Sequence, residues 1–137
     1  ILGDGEMQEG SVWEAAMFAP TQKLDNFAVF LDYNGIQASE RVQTIMQIEP
    51  VREKWQAFGW QVEEIDGHDL TAIQDVVQTF RDNIYHKPLF VIARTHKGHG
   101  IPFIQDQADC HMRNPKNEEW KIVCRAFHIS PEELSLL

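Results

Sequence analysis

Two short apolar runs, each followed by a loop rich in turn-forming residues, constrain this chain most. The chain opens on an apolar pair that leads into Gly3-Asp4-Gly5, and residues 27–31 (FAVFL) lead into residues 32–37 (DYNGIQ). Runs of this length next to turn residues predict buried strands that end in loops. Glycine tolerates a positive φ and lets the backbone come close to a ligand, so the first loop has the character of a phosphate-binding turn.

The segment between the two loops predicts a helix. Ser11 and Glu14 have the spacing of a capping box, in which each side chain accepts a hydrogen bond from the backbone N–H of the other residue. A strand, a helix and a strand within about 30 residues make one βαβ unit. Neighbouring parallel strands lie about 4.8 Å apart and end at the same edge of a sheet, so Asp4 and Asn34 are expected to meet there.

The net negative charge of the chain indicates why a diphosphate at this pair of side chains would need a cation. The 21 Asp and Glu residues exceed the 12 Lys and Arg residues, for a formal net charge of -9, so a diphosphate would be repelled without a cation. Mg²⁺ and Ca²⁺ take carboxylate, amide and carbonyl oxygens, and Asp4, Asn34 and the carbonyl of Ile36 supply such a set. Each loop alone has a simpler explanation, as a tight turn or as an Asn-Gly hairpin, but the pair at this spacing favours a metal and diphosphate site.

Composition narrows the class of protein. The acidic balance disfavours nucleic acid and anionic membranes as partners, and no stretch reaches the ~20 apolar residues of a membrane helix. Cys110 and Cys124 lack a metal-ligand spacing and suit a reducing cytoplasm. The length of 137 residues with 43% hydrophobic residues predicts one globular domain over residues 1–137. No signal peptide is recognised, and because the first residue is not Met, the true start is expected upstream.

The remaining pattern predicts alternating helices and strands. Residues 70–84 carry apolar side chains at helical spacing, broken by Pro88, and residues 89–93 (LFVIA) are apolar throughout, as in a strand of a buried parallel sheet. The other predicted elements are a helix from Pro50 to Gly59, a strand over 61–65 and a last helix over 118–127 capped by Asn117. The prediction is an α/β fold, a doubly wound, mostly parallel sheet with helices on both faces, with loops over 38–48 and 95–115.

These motifs together resemble the thiamine diphosphate-binding domain of transketolases. Gly3-Asp4-Gly5 with Asn34 is similar to the thiamine diphosphate motif. Further similar segments run through most of the chain: Gln8-Glu9-Gly10, Trp13-Glu14-Ala15, 23–26 (KLDN), Glu49-Pro50, 55–60 (WQAFGW), 66–69 (DGHD) and 95–100 (THKGHG). The resemblance implies a transferase of the pentose phosphate pathway that moves a two-carbon ketol unit between sugar phosphates, using thiamine diphosphate and Mg²⁺ or Ca²⁺.

The resemblance also implies which residues hold the cofactor. Gly3, Asp4 and Gly5 correspond to the diphosphate loop, and Asn34 and Ile36 to the other metal ligands. Ala38 stands where the family has a larger apolar residue against the thiazolium ring, so a smaller contact is expected there. Residues 38–40 (ASE) depart from the family pattern, and this departure puts substrate choice in doubt rather than metal binding.

Three further residues receive expected catalytic roles from the resemblance. Glu9 and Glu14 correspond to glutamates at a dimer interface, and one of them is expected to hold a proton because it is buried near like charge. By themselves, two carboxylates around a helix start are more often solvated. His111 corresponds to a histidine that faces the cofactor and the donor sugar, although Cys110 and Met112 replace the Trp and Gly that usually flank it. A histidine in a surface loop is the simpler explanation.

Another group could be mistaken for a metal site. Asp66, His68 and Asp69 lie close in sequence, but their place before a helix predicts a turn and a cap. Lys97, in the loop that resembles the family's substrate-facing segment, is a candidate for pairing with phosphate.

The resemblance finally implies what must complete the chain. Thiamine catalysis needs a carboxylate on the cofactor's pyrimidine ring, and the family supplies it from a pyrimidine-binding domain across a dimer. The strands and helices that normally precede the Gly-Asp-Gly motif are also missing, so the fold is expected to be incomplete at the N-terminus and inactive alone. A homodimer or a heterotetramer with a pyrimidine-binding chain is expected. The alternatives are a deoxyxylulose phosphate synthase, a pyruvate dehydrogenase α chain, or a non-catalytic partner subunit.

Overall fold

The computed structural model describes residues 1–38, 40–82, 84–116 and 118–130. Its strands are β1 (Leu2–Gly3), β2 (Ala28–Tyr33), β3 (Ile36–Gln37), β4 (Glu40–Arg41), β5 (Gln61–Asp66) and β6 (Leu89–Arg94). Four of them form a fully parallel sheet in the order β1-β2-β6-β5, and β3 and β4 form a separate antiparallel pair.

Helices connect the parallel strands, as the predicted α/β fold requires. They are α1 (Gly10–Thr21), α2 (Val42–Ile45), α3 (Val51–Phe58), α4 (Leu70–Arg81) and α5 (Glu119–Ala126), with 3-10 turns at Glu6–Gln8 and Ala108–His111. No helix in the described ranges is both long and apolar enough to cross a membrane.

The sheet is covered on both faces, because successive side chains of a strand point to opposite sides. Along β6, Leu89 and Val91 pack with Val76 of α4 on one side. Phe90 and Ile92 pack on the other side, in the cluster that contains residues of α1 and α3. All four of these β6 side chains are buried. The prediction of a doubly wound sheet with a fully buried strand here is confirmed.

The larger of the two cores is centred on Trp55 of α3. Its ring stacks on Phe90 with centroids 3.8 Å apart and meets the edge of Trp60 at 4.8 Å. Trp60 in turn donates a hydrogen bond of 2.8 Å from its indole N–H to the carbonyl of Ala16 in α1. This aromatic group therefore ties α1 and α3 to the same face of the sheet.

The start of α1 differs from the predicted capping box. The helix begins at Gly10, and neither Ser11 nor Glu14 caps it; Glu9 occupies the N-cap position without a side-chain hydrogen bond. The preceding 3-10 turn explains this, since the backbone of Glu9 bonds to Glu6 on one side and to Val12 on the other. Backbone hydrogen bonds made by Glu9 thus take the place of a side-chain cap.

Several predicted boundaries also shift. Helix α4 ends at Arg81, before Ile84, which is 61% exposed, so Pro88 does not set its end. The region predicted as a loop after residue 37 contains β4 and the short helix α2. Gly59 does end α3, with φ +100. Asn117, the predicted cap of the last helix, and Ser39 lie outside the described residues.

Gly67, between β5 and α4, leaves no room for a side chain. A Cβ there would overlap Cγ2 of Thr95 and would lie 3.1 Å from Cβ of Ala93 and from the carbonyl oxygen of Arg94. We expect Gly67→Ala to lower the free energy of unfolding by about 1–3 kcal/mol, as overpacking does. Denaturant unfolding measures this loss.

Gly10→Ala is the matched control, because a Cβ at Gly10 meets nothing within 4 Å. Alanine there, at the first residue of α1, should leave stability unchanged or slightly raised. Equal unfolding midpoints for the two variants would contradict the close packing around Gly67.

Candidate metal and diphosphate site

The parallel pairing of β1 and β2 brings the two loops together. Leu2 pairs with Leu31, and Gly3 with Asp32, so both strands end at the same edge of the sheet. The backbone N–H groups of Asn34 and Gly35 then donate hydrogen bonds of 2.9 and 2.7 Å to Oδ2 of Asp4. The predicted convergence of the two loops is confirmed.

The environment of the Asp4 carboxylate is that of a metal ligand. The residue is 2% exposed, and its Oδ1 is buried without a hydrogen-bond partner among the described residues. Burial raises the pKa of the Asp4 carboxyl above its ordinary value, against the opposing effect of the N–H groups of Asn34 and Gly35. A buried oxygen without a partner is costly, and a divalent cation would satisfy it, so the residues present fit a metal.

The second loop presents the other predicted ligands beside Asp4. Asn34 Oδ1 accepts a hydrogen bond of 2.9 Å from the N–H of Ile36 and keeps a second lone pair. Gly35 has φ +75 and its carbonyl accepts a 2.9 Å hydrogen bond from Val42. The positive φ therefore occurs at Gly35, whereas neither Gly3 nor Gly5 adopts one; this corrects the reason given for glycine in the first loop.

In the first loop, the glycine at position 5 is explained by the close approach of the side chain of Gln37. Gly3 donates its N–H to Oε2 of Glu6 at 2.8 Å, and the fully buried Met7 anchors the 3-10 turn that follows. Gly5 has φ -68, and a Cβ added to it would lie 3.1 Å from Oε1 of Gln37. The two loops thus touch at Gly5 as well as at Asp4.

The acidic residues near His68 form a turn and a cap, as predicted. Asp69 caps α4 by accepting hydrogen bonds from the N–H groups of Thr71 and Ala72, at 2.8 and 3.3 Å. Asp66 accepts one from the N–H of His68 at 2.9 Å. Within the ranges that the structure covers, no three His, Cys, Asp or Glu side chains are grouped so that they could hold a metal. The predicted ligand set at Asp4 combines one carboxylate with an amide and a carbonyl oxygen.

A cluster of histidines that joins the turn before α4 to the loop after β6 was not predicted from the sequence. Nε2 of His68 accepts a 2.8 Å hydrogen bond from the N–H of His96, and the rings of His68 and His99 stack at 3.8 Å. His96 Nδ1 lies 2.8 Å from Oδ2 of Asp106. The repeated histidine in residues 95–100 (THKGHG) was the available signal. The cluster holds this loop against the turn before α4.

The residues with expected catalytic roles lie at different places around the site. His111 is exposed in a 3-10 turn that packs against β4, and β4 pairs with β3, which carries Ile36. Ala38 is exposed at the tip of that hairpin with φ 41. Glu9 and Glu14 are exposed at the start of α1, so a partner would have to cover them before either is buried. Their roles remain predictions.

A cleft of about 880 Å³ opens beside Asn34 over the ends of β2, β5 and β6. Its wall is braced by Arg94, which bonds Glu64 at 2.7 Å and lies 4.2 Å from the ring centre of Tyr33. Burial and a hydrogen bond to Glu49 raise the pKa of Tyr33 to about 12. Parallel sheets bind ligands at these strand ends, and no sequence pattern pointed to this wall.

Comparison with known proteins agrees with this geometry. The family model described as transketolase, thiamine diphosphate binding domain, matches residues 1–135. The chain is 40% identical over 121 residues to a 6-deoxy-6-sulfo-D-fructose transketolase subunit from Clostridium sp. strain MSTE9, covering 88% of this chain and 44% of the relative. It is 40% identical over 119 residues to an apulose-4-phosphate transketolase subunit from Actinobacillus succinogenes, covering 87% of this chain and 42% of that relative.

A solved structure supports the same relationship. A transketolase mutant from Pichia stipitis superposes with a TM-score of 0.86 at 28% identity, covering 96% of this chain and 19% of that one. This chain therefore spans less than half the length of the curated relatives it matches. With a parallel sheet that joins Asp4 to the Asn34 loop and a family match over residues 1–135, the chain belongs to the transketolase family, as part of its thiamine diphosphate-binding domain.

Proposed function

We propose that this chain is the diphosphate-binding part of a transketolase that uses thiamine diphosphate and Mg²⁺ or Ca²⁺. The observation that carries the proposal is the buried Asp4 carboxylate, which has one oxygen engaged by the Asn34 loop and the other without a partner among described residues. Asp4, Asn34 and the Ile36 carbonyl would hold the cation. Gly3 and Gly5 would let the backbone approach the diphosphate.

The protein's own residues have distinct tasks in this proposal. When bound, the cofactor would supply the chemistry of two-carbon transfer, and residues of this chain would hold and orient it. The Asn34 loop orients the Asp4 carboxylate through two N–H donors, so its free oxygen is preorganised for the cation. His111 would face cofactor and donor sugar from the turn packed on β4, and Ala38 would contact the thiazolium ring. Lys97 would pair with a substrate phosphate.

A partner is needed to complete the active site in this proposal. The relatives include proteins named as transketolase subunits, which fits a pyrimidine-binding domain carried on another chain or elsewhere in the same one. Glu9 and Glu14 would lie at the interface of a homodimer or a heterotetramer, where burial near like charge would raise the pKa of one carboxyl. Residues 1–137 would then form the C-terminal portion of a single diphosphate-binding domain.

Sugar phosphates are the proposed substrates, with a two-carbon ketol unit transferred between them. One relative is named for a sulfo-sugar and another for a sugar phosphate. We therefore propose that the anionic group at the end of the sugar is the part of the substrate that differs most between members of the family. The two free cysteines suit a reducing cytoplasm.

Titration calorimetry tests the proposal on the protein in its complete assembly. We expect saturable binding of thiamine diphosphate that requires Mg²⁺ and disappears when the metal is chelated, because the chain's net charge of -9 opposes a bare diphosphate. Association with a partner chain without any response to the cofactor would instead support the non-catalytic role.

A further inference from the structure

A second buried oxygen without a partner lies at the proposed site. Among the described residues, three buried side-chain polar atoms lack a hydrogen-bond partner: Oδ1 of Asp4, Oε1 of Gln37 and Nε1 of Trp55. The first two are acceptors in the contacting loops, since Gln37 lies against Gly5, the residue after Asp4. Buried polar atoms in native proteins are nearly always bonded, so this pair of acceptors needs an explanation.

Gln37 lies next to residues of both loops that carry the predicted metal ligands. Its backbone nitrogen is bonded to the carbonyl carbon of Ile36, and the N–H of Ile36 donates to Asn34 Oδ1 at 2.9 Å. Its side chain fills the space over Gly5, where a Cβ would be 3.1 Å from Oε1 and 3.3 Å from Cβ of Gln37. A substitution at Gln37 would therefore alter contacts in both loops.

The chemistry of the two oxygens indicates which group would satisfy both. The carboxylate oxygen and the amide oxygen are both acceptors, so neither satisfies the other. A divalent cation satisfies the carboxylate directly, and Mg²⁺ keeps water molecules that become strong hydrogen-bond donors. Groups that bond to the ligands or waters around a metal orient them and raise its affinity.

We propose that Gln37 is a positioning residue for the cation: its Oε1 accepts a hydrogen bond from a water in the cation's hydration shell. This inference rests on the proposed function, because it requires the cation at Asp4. Gln37 touches neither substrate nor the reacting atoms. Its oxygen costs the cofactor-free protein stability and is satisfied only when metal and thiamine diphosphate are bound.

The test uses Gln37→Met, which keeps the shape and removes the acceptor, and Gln37→Glu, which keeps an acceptor oxygen. Mn²⁺ binding is measured by electron paramagnetic resonance of the free ion in the complete assembly, with saturating thiamine diphosphate. We expect Gln37→Met to weaken Mn²⁺ binding about tenfold without lowering the Tm of the cofactor-free protein. Gln37→Glu should bind Mn²⁺ close to wild type.

Gln43→Met is the control, because Gln43 is exposed on α2. Unchanged Mn²⁺ affinity in Gln37→Met together with a lower Tm would show a packing role and overturn the inference alone. A loss in Gln37→Glu as large as in Gln37→Met would also overturn it, because a donor to phosphate would then be the group required. Failure of the unaltered protein to bind Mn²⁺ with thiamine diphosphate would overturn the proposed function and this inference together.

Discussion

Asp4→Asn is expected to abolish metal-dependent binding of thiamine diphosphate while the protein stays folded. The variant keeps an oxygen for the N–H groups of Asn34 and Gly35, which lie 2.9 and 2.7 Å from Oδ2. It replaces Oδ1, which is buried and has no partner among the described residues, by an amide NH₂, which cannot bind a cation. Loss of a group that only supports a ligand costs about 10–100-fold in metal affinity, so loss of the charged ligand should cost at least about 100-fold.

The same substitution should not lower the Tm of the cofactor-free protein. A neutral amide is cheaper to bury than a carboxylate that lacks one of its partners. Calorimetry gives the affinity, and thermal unfolding with and without cofactor gives the stability. Binding by Asp4→Asn with wild-type affinity would remove Asp4 from the site.

Asp32→Asn is the matched control for this experiment. Asp32 is a carboxylate at the end of β2, paired in register with Gly3, but it is exposed and accepts a hydrogen bond from the Thr95 hydroxyl. Its substitution removes the same charge from the same edge of the sheet. Since its carboxylate is exposed and bonded to Thr95 rather than buried as at Asp4, cofactor affinity should change little.

Trp55→Ala is expected to lower the free energy of unfolding by about 3–5 kcal/mol, the range for truncating a buried aromatic residue. Trp55 is 1% exposed and stacks on Phe90 of β6 with centroids 3.8 Å apart. Its loss would leave a cavity between α3 and the centre of the sheet. Denaturant unfolding followed by circular dichroism measures the effect.

Two comparisons sharpen this prediction. Trp120→Ala removes the same side chain from α5, where it is 38% exposed, and should cost clearly less. Trp55→Phe keeps most of the packing and removes an indole N–H that has no partner within the described ranges, so it should cost less than Trp55→Ala. Equal losses at Trp55 and Trp120 would mean that the stacked aromatic group does not stabilise the core.

The elements that the sequence predicted correctly are those with strong local patterns. Residues 89–93 are apolar at every position, and this is sufficient for a strand buried on both faces. Gly59 ends α3 because only the left-handed conformation closes the helix there. The stripe in α4 indicated a helix but gave its end incorrectly, because the stripe continues to Ile84 in sequence while the helix stops at Arg81.

The capping box failed for a different reason. The spacing of Ser11 and Glu14 is a local signal, and it carries no information about the chain before the helix. The 3-10 turn ending at Gln8 already provides backbone hydrogen bonds at Glu9, so the helix starts two residues earlier than a Ser11 cap would place it, without a side-chain cap. The histidine contacts between His68, His96 and His99 escaped prediction because they join segments far apart in sequence.

By itself, the sequence determined the strands of the parallel sheet, the longer helices and the two loops that carry Asp4 and Asn34, because apolar periodicity and turn residues are local properties. The tertiary structure alone decided that one Asp4 oxygen is held by the Asn34 loop while the other is buried with no partner among the described residues. Which acceptors lack a donor depends on packing between residues about thirty positions apart, and no local pattern specifies it.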